Sequence, residues 1–150
     1  MQKKKQPFGA ASFWRHSVQT VLLICLGASA GALLRHWLGL WLNPLAAFLP
    51  LGTLFANLLG AFLAGLVFAF LLDCPCAEKW RPLLITGFLG ALTTFSSFSL
   101  EVTSFLTQGR LLQACVTVVS HVCGSLLLTC LGFVGYGFLQ RFCLHCVGRI

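Results

Sequence analysis

Residues 87–101 read GFLGALTTFSSFSLE, which combines the hydrophobicity of a membrane segment with an unusual number of polar side chains. A hydroxyl group costs free energy in hydrocarbon unless it finds a hydrogen-bond partner, so these residues do not help the segment to insert. We therefore predict that this segment lines a pathway for something polar. The hydroxyl residues are Thr93, Thr94, Ser96, Ser97 and Ser99.

The rest of the chain has the composition of an integral membrane protein. Of its 150 residues, 58% are hydrophobic and 9% are charged, whereas soluble domains use about 25% charged residues. The charged residues leave four gaps that are long enough for a helix to cross a bilayer. The gaps cover residues 17–34, 51–72, 82–100 and 111–140. We predict an all-α integral membrane protein with four transmembrane helices.

The distribution of charged residues indicates three segments of the chain and the orientation of its spans in the membrane. We distinguish a basic polar leader without regular structure (1–16), a four-helix transmembrane domain (17–140) and a C-terminal tail (141–150). Eight of the ten Lys and Arg residues fall in the leader, the tail and the loop at 73–81, while Arg110 lies alone on the opposite side. The positive-inside rule then places both termini in the cytoplasm of a multi-pass protein of the cell (inner) membrane. The net positive charge reflects contact with the lipid bilayer and does not indicate nucleic-acid binding.

Small residues on the first two predicted spans indicate close packing between helices, because they allow two backbones to approach. A bundle of four helices has little interior, so a pore requires a second copy, most simply in a twofold dimer. The small residues are Gly27, Ala28, Ala30, Gly31 and Ala32 in the first span, and Gly60, Ala61, Ala64 and Gly65 in the second.

Two further spans carry polar residues. Asn57 is the only amide in the second span, where it must face another helix, water or a ligand. The fourth span has four polar residues spaced four apart, which places them on one face of a helix. A threonine can instead bond the carbonyl one turn back, and a histidine can pack as a neutral imidazole, so structural roles stay open. The four are Thr117, His121, Ser125 and Thr129.

The sequence of the third span also predicts a break in its helix at mid-membrane. Gly87, Gly90 and Ala91 precede the pair Thr93 and Thr94 and weaken helix continuity. Freed carbonyls are tolerated at membrane depth only where they are buried in protein or line a cavity, and they are good ligands for a hard cation.

Phe95 and Phe98 follow this break three residues apart and share a helix face. The edge of a phenyl ring is electropositive, so a pair of edges can face an anion without holding it as strongly as a lysine would. Spacing alone favours ordinary packing against lipid or core.

Two other activities have partial support. Cysteine pairs with a nearby histidine are compatible with a zinc site or a membrane thiol oxidoreductase, although the charge bias places them in the reducing cytoplasm, where free thiols are the simpler interpretation. A small dual-topology proton-coupled exporter would need an intramembrane carboxylate, for which Glu101 is the candidate. The residues in question are Cys74, Cys76, Cys143, His145 and Cys146.

Four motifs together identify a family resemblance. The sequence resembles the Fluc (CrcB) fluoride channels over all four spans. The motifs are GASAGALLRHWL at 27–38, PLGTLFANLLGAF at 50–62, GFLGALTTFSSFSLE at 87–101, and GR at 109–110 followed by HVCGS at 121–125.

This resemblance implies a passive, fluoride-selective channel, not an enzyme, that lets cytoplasmic fluoride leak out through an antiparallel dual-topology dimer. Such dimers usually form from chains with little charge bias, so the bias found here leaves open a homodimer or a pair with an oppositely oriented paralogue.

The resemblance also assigns roles to individual residues. It implies that Gly90 and Thr93 hold a structural sodium ion (Na+) through their carbonyls, and that Arg35 attracts anions to a vestibule. This chain departs from the family in the fourth span, with Thr117 where tyrosine is frequent and His121 where serine or asparagine is frequent. The implied anion pathway comprises Asn57, Thr94, Phe95, Ser97, Phe98, Thr117, His121, Ser125 and Thr129.

Overall fold

The protein is all-helical in a computed structural model that describes residues 10–46 and 48–147, with side chains described over 17–46 and 48–141. Short 3-10 helices, Asn43–Leu45 and Pro75–Trp80, follow the first two long helices, and a π-helix, Pro82–Leu89, begins the third span. The α-helices are α1 (Ala10–Leu42), α2 (Leu51–Asp73), α3 (Gly90–Leu92), α4 (Phe95–Thr107) and α5 (Leu111–Val147).

Four segments of the described chain are long and apolar enough to cross a membrane. They are Ser17–Leu45, Leu51–Asp73, Pro82–Thr107 and Leu111–Arg141. Each contains one of the uncharged gaps in the sequence, so the predicted number and positions of the spans are confirmed. The third span is assembled from the π-helix, α3 and α4, whereas each of the others has one long α-helix.

The first and last helices extend beyond the polarity boundaries. Helix α1 begins at Ala10, so the expectation of a leader without regular structure is wrong for residues 10–16. Helix α5 continues to Val147, through most of the predicted tail. A helix satisfies its own backbone hydrogen bonds, so it does not need to end where the apolar sequence ends. Residues 1–9 and 148–150 lie outside the described part of the chain.

The first span packs on the first half of the third span through glycines. Gly27 lies against the backbone of Leu83 and Phe88, and Gly31 lies against that of Phe88 and Leu92. These contacts advance along both segments in the same direction, so the two segments run parallel. The small-residue face predicted on the first span is therefore a helix contact, as its composition indicated.

The second and fourth spans form a similar pair. Gly65 of α2 lies against the backbone of Thr129, and Gly132 of α5 lies against that of Phe62. Because neither glycine has a side chain, the backbones of α2 and α5 are in direct contact. These two helices also run parallel. Short loops make consecutive spans antiparallel, so alternate spans have the same direction.

The turn between α4 and α5 depends on Gly109. Its φ angle is +70°, in the left-handed region that favours glycine. The Arg110 N–H donates to the Phe105 carbonyl at 2.8 Å, and the Gly109 N–H donates to the Leu106 carbonyl at 3.1 Å. This pair of bonds is a Schellman motif, which satisfies the last carbonyls of α4.

We expect Gly109→Ala to lower the free energy of unfolding by about 1 kcal/mol, because a Cβ atom disfavours the left-handed conformation. Gly109→Asn should cost less, since asparagine tolerates that conformation. Thermal unfolding of detergent-solubilised protein, followed by circular dichroism, measures both changes. Equal midpoints for alanine, asparagine and wild type would show that the turn does not constrain this residue.

Candidate functional site

The polar residues of the spans converge on one cavity of about 310 Å³, where α2, α5 and the junction of α3 with α4 meet. Its lining combines phenyl rings, hydroxyls, an amide and an imidazole, with no carboxylate, lysine or arginine among the described lining residues. We call it the Asn57 cavity. Its lining residues are Asn57, Ala61, Thr93, Thr94, Phe95, Phe98, His121, Val122 and Ser125.

Two residues with extended backbone separate α3 from α4. Thr93 has φ and ψ of −83° and 147°, and Thr94 has −147° and 117°. In a continuous helix the Thr94 amide would bond the Gly90 carbonyl, but here it donates to the side-chain oxygen of Asn57 at 2.7 Å. The hydroxyl of Thr94 accepts from the Ser97 N–H at 3.2 Å and so caps the start of α4.

Asn57 connects α2 to both neighbouring spans. Its Oδ1 accepts from the Thr94 N–H at 2.7 Å, and its Nδ2 donates to the Thr94 carbonyl at 3.1 Å. Nδ2 also lies 3.0 Å from His121 Nδ1 on α5. One amide therefore bonds both backbone polar groups of Thr94, whose N–H has no helical acceptor, and joins three spans at a single point.

The two phenylalanines differ in their surroundings. The Phe98 ring is 9% exposed and lies 4.8 Å from the His121 imidazole, centroid to centroid, at 36°. The Phe95 ring contacts Phe98 at 5.4 Å and 53°, but is 78% exposed. The cavity thus has one buried aromatic wall and one wall that this chain leaves uncovered.

The polar face of α5 divides into two kinds of residue. His121 and Ser125 line the Asn57 cavity, whereas Thr117 and Thr129 do not. The Thr117 hydroxyl donates to the Gln113 carbonyl at 2.7 Å, and the Thr129 hydroxyl donates to the carbonyls of Ser125 and Ala61 at 2.9 and 3.1 Å. The bond to a carbonyl one turn back, left open by the sequence, is therefore present in both threonines.

Arg35 lies outside the Asn57 cavity but contacts the same region of the third span. Its Nε donates to the Ala91 carbonyl at 3.1 Å, which holds α1 to the end of α3. The Arg35 side chain also lines a separate cavity of about 350 Å³ with His36, Asn43 and Thr53. Gly90, in α3, lines neither cavity.

The described residues that suggested a proton-coupled exporter, a zinc site or a thiol oxidoreductase do not line the Asn57 cavity. Glu101 is half-buried and lines a different cavity, of about 470 Å³. Cys74 and Cys76 are free thiols, and no metal-binding group of three His, Cys, Asp or Glu residues occurs in the described part of the chain. The side chains of Cys143, His145 and Cys146 lie outside the described residues.

Two apolar residues of the cavity are missing from the sequence prediction. Ala61 lies one turn after Asn57 on the same helix face, a spacing that provided a signal. Val122 follows His121 directly and has no distinguishing feature in the sequence. The contact between Asn57 and His121 also had no local signal, because 64 positions separate them.

Comparison with known proteins places the chain in a family. The family model described as CrcB-like protein, Camphor Resistance (CrcB), matches residues 22–133. A protein of Tolumonas auensis named fluoride-specific ion channel FluC is 54% identical over 123 residues, which cover 81% of this chain and 97% of the relative.

Proteins with the same name in two other bacteria give similar matches. The Chromobacterium violaceum protein is 49% identical over 124 residues, covering 82% of this chain and 98% of the relative. The Pseudomonas aeruginosa protein is 49% identical over 122 residues, covering 81% and 96%. With four apolar helices and matches that extend through all four spans, the chain is a multi-pass membrane protein and belongs to the CrcB-like family.

Proposed function

We propose that this protein is a fluoride-selective ion channel, not an enzyme, through which fluoride leaves the cytoplasm passively. The names of its relatives support this function, and the observation that carries it is the composition of the Asn57 cavity. Fluoride is small and strongly hydrated, so a channel must replace its water with several modest contacts and still release it. Phenyl edges, hydroxyls and N–H groups offer such contacts without a fixed positive charge.

The proposed anion pathway follows the polar face of α5 past the aromatic pair. Phe95 and Phe98 present ring edges, and Thr94, Ser97 and Ser125 present hydroxyls near the junction of α3 and α4. Thr117 and Thr129 extend the pathway on either side of the cavity, where each contributes a donor only after turning its hydroxyl away from a backbone carbonyl. Arg35 attracts anions from its separate cavity.

We further propose that a second chain completes the site, in an antiparallel dual-topology dimer. Phe95 lines the cavity yet is 78% exposed, so the wall that it forms needs a cover. Lipid alone would leave the hydroxyls of this region facing hydrocarbon, which is unfavourable. The second chain is another copy or, given the Lys and Arg bias, an oppositely oriented paralogue.

The same junction supports a structural sodium ion held by the carbonyls of Gly90 and Thr93. The Thr94 amide is turned to Asn57, so the Gly90 carbonyl lacks the bond of a continuous helix. Backbone carbonyls are hard oxygen ligands that suit such a cation. When bound, sodium would supply fixed positive charge near the pathway. Arg35 holds the neighbouring Ala91 carbonyl in place.

Efflux from liposomes loaded with fluoride or chloride tests the channel function. We expect the wild-type protein to release fluoride and retain chloride. Phe98→Ile and Phe95→Ile should each slow fluoride release about tenfold, because isoleucine keeps the apolar bulk but removes the ring edge.

Phe133→Ile on α5 is the matched control, since Phe133 contacts Phe68 outside the Asn57 cavity. This variant should release fluoride at the wild-type rate. Equal fluoride and chloride release by the wild-type protein would contradict the proposed selectivity.

A further inference from the structure

The amide of Asn57 has no donor left for a ligand. A side-chain amide carries two N–H donors. One donates to the Thr94 carbonyl at 3.1 Å, and the other points to His121 Nδ1 at 3.0 Å. The assignment of oxygen and nitrogen is unambiguous here, because Oδ1 accepts from the Thr94 N–H and a flipped amide would lose both bonds to Thr94.

This arrangement fixes the proton of His121. The Nδ2 group of Asn57 can only donate, so His121 Nδ1 must accept and must carry a lone pair. In a neutral imidazole the proton then resides on Nε2. The imidazole is 6% exposed and lies against the Phe98 ring, so its plane is held as well as its tautomer.

The Nε2–H group remains available for a ligand. It has no hydrogen-bond partner among the residues whose side chains are described, and His121 lines the Asn57 cavity. It is also not sealed from solvent, since His121 has no atom among the fully buried side-chain nitrogens and oxygens that lack a hydrogen bond in that part of the chain. An N–H donor is therefore left on a ring that lines the same cavity as the aromatic pair.

We propose that the Nε2–H of His121 is the N–H donor that this chain presents to the permeating anion, and that Asn57 is a positioning residue. Asn57 selects the His121 tautomer and holds the backbone of Thr94. This inference rests on the proposed function. A neutral imidazole bonds a small, hard anion such as fluoride more strongly than chloride, yet adds no fixed positive charge that would retain it.

The position of the proton can be measured without any transport assay. Nitrogen-15 NMR of protein labelled in its histidine imidazoles distinguishes protonated from unprotonated ring nitrogens. The chain has four histidines, so the His121 signals are assigned by their absence from the His121→Gln variant. We expect the wild-type protein to show the Nε2–H tautomer at His121 and its resonance to shift when fluoride is added.

The same spectrum tests the role of Asn57. In Asn57→Ala we expect a mixture of the two His121 tautomers, an effect that a merely structural role for the amide would not produce. A proton on Nδ1 in the wild-type protein would overturn the proposal, as would an Nε2–H resonance that is unchanged at saturating fluoride. The wild-type measurement stands even if Asn57→Ala does not fold.

Fluoride efflux gives a second, independent readout. His121→Leu removes the donor and should slow efflux about tenfold or more, whereas His121→Gln keeps a planar N–H donor and should remain within a few-fold of wild type. Wild-type efflux by His121→Leu would overturn the proposal. If the wild-type protein releases fluoride but carries the His121 proton on Nδ1, only this inference is overturned. If the wild-type protein does not release fluoride, the proposed function is overturned as well.

Discussion

Replacing Asn57 with leucine is expected to lower the free energy of unfolding by about 3 kcal/mol and to abolish fluoride efflux. Leucine is similar in size, so the change removes hydrogen bonds rather than opening a cavity. The N–H of Thr94 and the Nδ1 of His121 lose their partner together, and the Thr94 carbonyl loses its bond from α2. Unfolding of detergent-solubilised protein and efflux from liposomes measure the two effects.

Asn43→Leu is the matched control for this change. Asn43 uses its side-chain oxygen to accept one bond, from the Gly52 N–H at 2.8 Å near the start of α2, and it does not line the Asn57 cavity. We expect a loss of about 1 kcal/mol and measurable fluoride efflux, because the Asn57 cavity keeps its whole lining. If Asn57→Leu proves no less stable than Asn43→Leu, the bonds to Thr94 and His121 do not hold the bundle together.

Gly132→Ala should be nearly as damaging, with a loss of about 2–3 kcal/mol. A Cβ atom at Gly132 would overlap the Phe62 carbonyl, which is backbone and can move only if α2 moves. Separation of α2 from α5 would also stretch the contact between Asn57 and His121, so fluoride efflux should fall as well. The midpoint of thermal unfolding and the efflux rate report these two consequences.

Gly135, one turn along the same helix, provides the contrast. Among the described residues, no atom outside its own helix lies within 4 Å of the position that its Cβ would occupy. Gly135→Ala should therefore be neutral or stabilise α5 by up to about 1 kcal/mol, because alanine is the better helix former. Equal effects of the two substitutions would mean that helix propensity, not contact between the two backbones, determines the cost at Gly132.

The architecture was largely predictable from the sequence, because the patterns that indicate it extend over many residues. A gap of about twenty residues without charge identifies a span whatever the local details. The small residues around Gly27 and Gly65 likewise predicted helix contacts, because a glycine face has little other use in a membrane helix. The ends of α1 and α5 were not predictable in this way, since polarity marks the edge of the bilayer and not the end of a helix.

The details of the site depend on contacts that no local pattern encodes. Residue type predicted that Asn57 needs a partner, but its partners on the third and fourth spans follow from how the helices pack. The spacing of Thr117 and Thr129 matches that of His121, yet their hydroxyls bond backbone carbonyls. A period of four identifies a helix face but cannot show which of its members reach the cavity.

The direct contact of backbones at Gly65 and Gly132 has a consequence for how this protein tolerates change. Main-chain atoms set the spacing of α2 and α5, and main-chain dimensions are the same for every sequence. The exposed side chains of α5, such as Leu126 and Leu127, can therefore vary without altering the width of the cavity. The bundle in this way insulates its interior from changes on its outer surface.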